Sequence, residues 1–192
     1  MRKTTIIFLL AALLTTYAHA EDETTDIRRN ALKITFLSWF TGSVKLFYER
    51  SVFEHQAVEG AVGIIGVMHD GKHNNPKGWL VRYAHQFNLF LTNEQKPLQG
   101  LFIKPEVAMS TFRYDPKDGS SRTRSTICAV MAQFGYQHVF GRFIIDGYWG
   151  IGPCFGKVCD TYYEHGVLLW DFFGHKNKNI ATSAGMRVGF VF

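Results

Sequence analysis

From Ile180 to Phe192 the chain alternates without a break. Ile180, Thr182, Ala184, Met186, Val188, Phe190 and Phe192 fall on one side of an extended strand, and Ala181, Ser183, Gly185, Arg187, Gly189 and Val191 on the other. Successive side chains of a strand point to opposite faces, so this is a strand with one apolar face and one face of small or charged residues. A strand of that kind ending on an aromatic residue suits the closing position of an outer-membrane β-barrel, with lipid on one side and a crowded interior on the other. On this reading Phe190 and Phe192 form a C-terminal assembly signal, met by the barrel-assembly machinery during insertion.

The other end of the chain points to the same compartment. Arg2 and Lys3 precede an apolar stretch from Ile6 to Leu14, and Ala18-His19-Ala20 precedes the acidic Glu21-Asp22-Glu23. That is the layout of a cleavable signal peptide over residues 1–20, whose apolar core is too short to span a bilayer. Residues 21–29 then read as a polar periplasmic tail and residues 30–192 as one barrel domain. Removing residues 1–20 takes away two basic residues and no acidic ones, so the net charge falls from +5 to +3. An excess this small is no nucleic-acid signature, and no nucleic-acid partner is expected.

No later segment offers the roughly 18 consecutive apolar residues of a membrane helix. A chain of this kind can enter a membrane only as a closed barrel, because closure alone pairs every backbone N–H and C=O. Eight alternating segments can be drawn: Asn30 to Phe40, Val44 to Val52, Ala57 to Met68, Trp79 to Leu91, Leu101 to Tyr114, Ser125 to Phe140, Phe143 to Phe155 and Ile180 to Phe192. The expected fold is therefore an all-β, eight-stranded, antiparallel, up-and-down transmembrane barrel. Connections at 51–56, 92–100 and 141–142 would lie on the periplasmic rim. Those at 41–43, 69–78, 115–124 and 156–179 would lie on the outer rim, giving the expected contrast of tight turns and longer loops.

Splitting each segment by parity collects nearly all the charge within strands on the face opposite the apolar one. Lys33, Lys45, Glu49, Glu59, Arg82, Lys104, Glu106, Asp146 and Arg187 share that face with Gln86, Asn88 and Gln133, separated by Gly, Ala and Ser. Lys or Arg on the lipid side near the bilayer centre would cost about 2 to 4 kcal/mol, so the charged face must point inward. The interior of eight strands is only wide enough for side chains to fill. Five cations and four anions confined there should pair across the lumen, because an isolated buried charge is far more costly than a hydrogen-bonded pair. The expected interior is a plugged scaffold rather than a pore. Glu49 and Arg50, although adjacent, fall on opposite faces.

The chemistry-bearing residues outside this face are sparse. Cys154 and Cys159 flank four residues at the mouth of the longest loop, where a disulfide is possible in an oxidising compartment. Cys128 faces outward, and with three cysteines one is left without a partner within the chain. Acyl-transfer chemistry needs a nucleophile within reach of a base, yet neither His85 nor His138 has a serine nearby on its own face. His69, His73, His165 and His175 fall in outer loops and read as solvated. No enzymatic activity, cofactor or metal site is expected. In the outer loops Lys72, Lys77, Lys117, Arg122 and Arg124 outnumber Asp70, Asp115 and Asp118, and suit lipopolysaccharide phosphates. The last loop holds Tyr162, Tyr163, Trp170, Phe172 and Phe173, too apolar for an idle loop, and reads as a hairpin or as a contact surface for an unidentified partner.

Short motifs add a resemblance. Asn30-Ala31-Leu32-Lys33, Tyr48-Glu49-Arg50, Gly100-Leu101-Phe102-Ile103-Lys104-Pro105-Glu106 and Gly135-Tyr136-Gln137-His138-Val139-Phe140 resemble segments of a family of small Bacteroidetes outer-membrane barrels, catalogued as a domain of unknown function (the DUF3575 type). The layout looks more distantly like the OmpA and OmpX transmembrane domains. The resemblance implies an outer-membrane location among lipid and lipopolysaccharide, with a structural or surface-interaction role, and it carries over no catalytic residues. Two other readings remain in view: a lipid A-modifying outer-membrane enzyme, and a secreted lipocalin-like barrel with its apolar face turned inward around a ligand.

Overall fold

Alternation says that a strand has two unlike faces, and pairing decides which one is buried. A computed structural model of the chain describes residues 28–35, 38, 42–67, 70–71, 73–90, 98–116, 121–157, 165, 167–170 and 179–192, with the backbone alone at Phe90 and Trp170. The expected signal peptide and most of the acidic tail lie outside these residues.

The strands are β1 (Asn30–Thr35), β2 (Ser43–Phe53), β3 (Gln56–Ile65), β4 (Asn74–Phe90), β5 (Gly100–Asp115), β6 (Thr123–Phe140), β7 (Phe143–Lys157), β8 (Leu168–Trp170) and β9 (Ile180–Val191). β1 to β7 pair antiparallel in chain order, β7 pairs with β9, and β9 pairs back onto β1. The result is a closed, eight-stranded, up-and-down antiparallel barrel with the short β8 added to its wall. The seam runs from Ala31↔Val191 to Thr35↔Arg187. It is fastened by reciprocal backbone bonds between Asn30 and Phe192, of 3.0 and 2.8 Å.

Closure turns the charged face inward. Ala31, Lys33 and Thr35 are buried while Leu32 is 42% exposed, and the same alternation runs through the other barrel strands. The outward face carries Tyr48, Val62, Ile64, Tyr83, Leu89 and Trp149. A lipocalin-like calyx needs the reverse arrangement, so this barrel does not form one.

The interior is layered. At the rim of tight turns Ala31, Ala57, Leu98, Val139, Ile144 and Val191 pack together. At the opposite rim one cluster includes Ile127, Met131, Cys154, Val167 and Leu169, and another gathers Ile65, Leu80, Phe112 and Tyr114. The charges lie between these apolar caps. Large inward rings need space opposite them, and glycine provides it. A Cβ at Gly135 would come within 2.4 Å of the Phe102 ring, and one at Gly185 within 2.9 Å of the Tyr148 hydroxyl.

Several boundaries differ from those drawn on the sequence. β1 is described only to Thr35, and Ser38 lies in a 3-10 turn rather than a strand. The alternation is already lost there, since Phe36-Leu37 and Trp39-Phe40 are adjacent apolar pairs. Beyond the end of β1 the flank of β9 is taken by β8, through Leu168↔Thr182 to Trp170↔Ile180. β4 begins at Asn74, not near Trp79, because Pro76 is accommodated at an irregularity in the register between Asn74 and Lys77. A proline cannot donate to a ladder and is tolerated at such a bulge. Asn75, with φ at 46°, turns the chain there.

Candidate functional site in the barrel interior

The nine charged residues expected in the lumen come from every barrel strand except β6, and all of them are buried. Inward parity places each one, and antiparallel register brings them to related heights. Asp146 lies opposite Arg187, and Glu49 opposite Glu59.

Lys33 is one centre of the network. Its ammonium lies 2.6 Å from Glu49, 2.7 Å from Glu59 and 2.8 Å from Asp146. Glu59 is the other centre, with Oε1 accepting from Lys104 at 2.8 Å and from Arg187 at 2.6 Å. Arg187 also donates Nε to Asp146 at 2.7 Å, and its guanidinium lies 4.5 Å from the centre of the Tyr148 ring and 5.0 Å from that of Phe47. A guanidinium is planar and delocalised, so it satisfies two carboxylates at its edge and two rings at its faces. Gln137 extends the network towards the tight-turn rim, donating to Glu49 at 3.2 Å and to the Leu98 carbonyl at 2.9 Å. Towards the other rim Arg82 donates to Glu106 at 3.1 Å.

Lys45 is separate from these clusters. Its ammonium donates to the Ser38 hydroxyl at 2.9 Å. Among the described residues no carboxylate lies within ion-pair distance of it. Of the nine charged residues expected in the lumen, five are basic and four acidic, and Lys45 is the basic one with no carboxylate in ion-pair contact among the described residues.

Ion pairs to Lys33 and Glu59 therefore join strands across the interior. Charges taken out of water are tolerated only where several partners satisfy each one, and here two hubs link six strands. A cavity beside Arg82, lined also by Ser110, Ile127 and Val167 among others, has room for about one water molecule.

The remaining sequence-predicted residues are dispersed. Cys154 is buried, and Cys159 lies outside the described residues, as do Tyr162, Tyr163, Phe172 and Phe173. The Trp170 backbone pairs with Ile180 in β8. Beside it Val167 and Leu169 point into the mouth of the barrel, so the apolar character of this loop is partly spent on closing the interior. Phe190 packs against Phe143 with ring centres 4.9 Å apart, and Phe192 is exposed. His85 faces Gln56 at 3.0 Å, and His138 lies between the rings of Tyr136 and Phe140 on the outward face.

One expectation is overturned. His73 and His165, read from the sequence as solvated loop residues, are 3% and 1% exposed and sit with Asp70 beside Phe112 and Tyr114. Asp70 three residues before His73 was the only local signal. His165 joins them through tertiary structure, because its segment folds back over the barrel mouth to form β8.

No protein-family model, no curated protein and no solved structure matches this chain.

Proposed function

We propose that this chain is an integral outer-membrane β-barrel with a closed interior, serving as a structural or surface-interaction protein through its loop rim. The observation that carries the reading is the outward surface of a closed wall that keeps the charge of its middle stretch inside and shows charge outward only towards its rims. Large apolar side chains cover it, and a row of rings runs near the tight-turn rim through Tyr136, His138, Phe140, Phe143 and Phe190, each 4.9 to 6.3 Å from the next. In water such a surface would be a large aggregation liability. In a bilayer it is an apolar band edged by an aromatic girdle. Kinship with the small Bacteroidetes outer-membrane barrels belongs to the same proposal.

Lipid and lipopolysaccharide are the surroundings this reading assigns. Exposed Lys77, Arg122 and Arg124 near the loop rim suit phosphate groups, and Arg122 is held 3.6 Å from Asp115 on the surface. Lipid A modification would need a nucleophile beside His85 or His138, and their neighbours are an amide and aromatic rings, so a non-enzymatic role is the stronger reading.

Cell fractionation tests the proposal. The protein is expected in the outer-membrane fraction, resistant to alkaline carbonate and released by detergent. Recovery of folded protein without detergent would overturn it.

A further inference from the structure

Three side chains that the interior network does not use meet beyond its loop-rim layer. Asp70 and His73 belong to the connection between β3 and β4, and His165 to the segment that leads into β8. Asp70 Oδ2 lies 2.8 Å from His73 Nδ1 and 3.2 Å from His165 Nε2. The three potential ligand atoms all fall within 4.8 Å of one another, and the three side chains are at most 1% exposed. Asp70 is aimed by its own loop, since its Oδ1 accepts the His73 backbone N–H at 3.2 Å. His165 sits at φ 47°, in the left-handed region where histidine is among the more frequent non-glycine residues, and its ring packs edge-on to Phe112 with ring centres 4.6 Å apart.

We propose that Asp70, His73 and His165 bind one divalent transition-metal ion, most suitably zinc, which ties the β3–β4 connection to the β8 segment across the mouth of the barrel. Two imidazole nitrogens and a carboxylate oxygen are donors for zinc and its neighbours, whereas calcium and magnesium take oxygen ligands. Ligand bonds of about 2.0 Å in a tetrahedron place neighbouring ligand atoms roughly 3.3 Å apart. The two separations measured from Asp70 Oδ2 are close to that value, and the two histidine nitrogens, within 4.8 Å of each other, complete the set once their rings turn toward a shared ion. Three protein ligands leave a tetrahedral ion one further position for water.

The site needs only the loops that form it, so it does not depend on where the barrel resides. It also accounts for features that a hydrogen-bonded Asp–His pair leaves aside. A second histidine is brought from a distant segment to the same carboxylate oxygen and is buried against aromatic rings. The consequence is mechanical. With the ion bound, Val167 and Leu169 are held in the mouth, and the loop rim becomes a rigid surface.

The test uses the purified full chain, folded in detergent, and cobalt(II) as a spectroscopic probe. The expected result is one bound ion per chain, visible absorption of tetrahedral cobalt, and its displacement by zinc. In His165→Ala and in Asp70→Asn the affinity should fall by at least about 100-fold, while both variants keep the gel mobility of the folded barrel. Zinc should raise the thermal midpoint of the native chain and leave that of His165→Ala unchanged. Absence of a one-to-one complex in the native chain would overturn the proposal whether or not the variants fold. So would equal binding by a folded variant lacking both His73 and His165.

Discussion

Glu59→Gln is expected to destabilise the barrel by about 3 to 5 kcal/mol, the usual penalty for removing one member of a buried ionic cluster. The Glu59 carboxylate faces three cations: Lys33 at 2.7 Å, Lys104 at 2.8 Å and Arg187 at 2.6 Å. Lys33 and Arg187 keep other carboxylates, but Glu59 is the one acidic partner in ion-pair contact with Lys104 among the described residues. Neutralising Glu59 therefore strands a fully buried ammonium and raises the positive excess of the interior. Lys104→Met in the same chain should recover a large part of the loss, because the stranded charge is then gone. Arg122→Ala, which removes an exposed pair separated by 3.6 Å, should cost no more than about 1 kcal/mol. Reversible urea unfolding followed by tryptophan fluorescence measures all four chains. A loss below about 1 kcal/mol in Glu59→Gln would show that the network is not what braces the wall.

The second large effect distinguishes the two sides of the wall. Val107 lies midway along β5 on the outward face, between Tyr83 and Val130 of the neighbouring strands, and all three are exposed. On a surface facing water, Val107→Arg would change stability by no more than about 0.5 kcal/mol. On a wall facing lipid at mid-height it should cost about 2 to 4 kcal/mol. Unfolding of the two chains in phospholipid vesicles gives the difference directly, and a value near zero would place that face outside the hydrocarbon.

Why so much of this fold was legible in the sequence follows from the period of a strand. A side chain on the wrong face of a barrel wall is expensive on either side, so parity had to be kept along every strand. Lys33, Glu59 and Arg187 could therefore be assigned to one interior while they lay far apart in the chain. Which cation met which carboxylate was not legible, since that depends on register and stagger around the barrel. The strand ends were read less well where local chemistry broke the alternation. Pro76 and Gly78 resemble a loop, yet β4 runs through them on a bulge. The Asp70, His73 and His165 cluster was hidden for a different reason. Loop histidines carry no periodic signal, and the contact that gathers them comes from β8, a three-residue strand whose only cue was an apolar loop.

The central claim, that the apolar outward face meets lipid, is tested most directly by tryptophan quenching. In a chain keeping Trp149 as its single tryptophan, folded into vesicles, the indole should be quenched by bromine atoms carried midway along the acyl chains. Trp149 lies near the middle of β7, opposite Phe134 and Ala184, and is 49% exposed on the outward face. A membrane barrel predicts strong quenching by the brominated lipid and little by a water-borne quencher. The opposite pattern would contradict the membrane barrel.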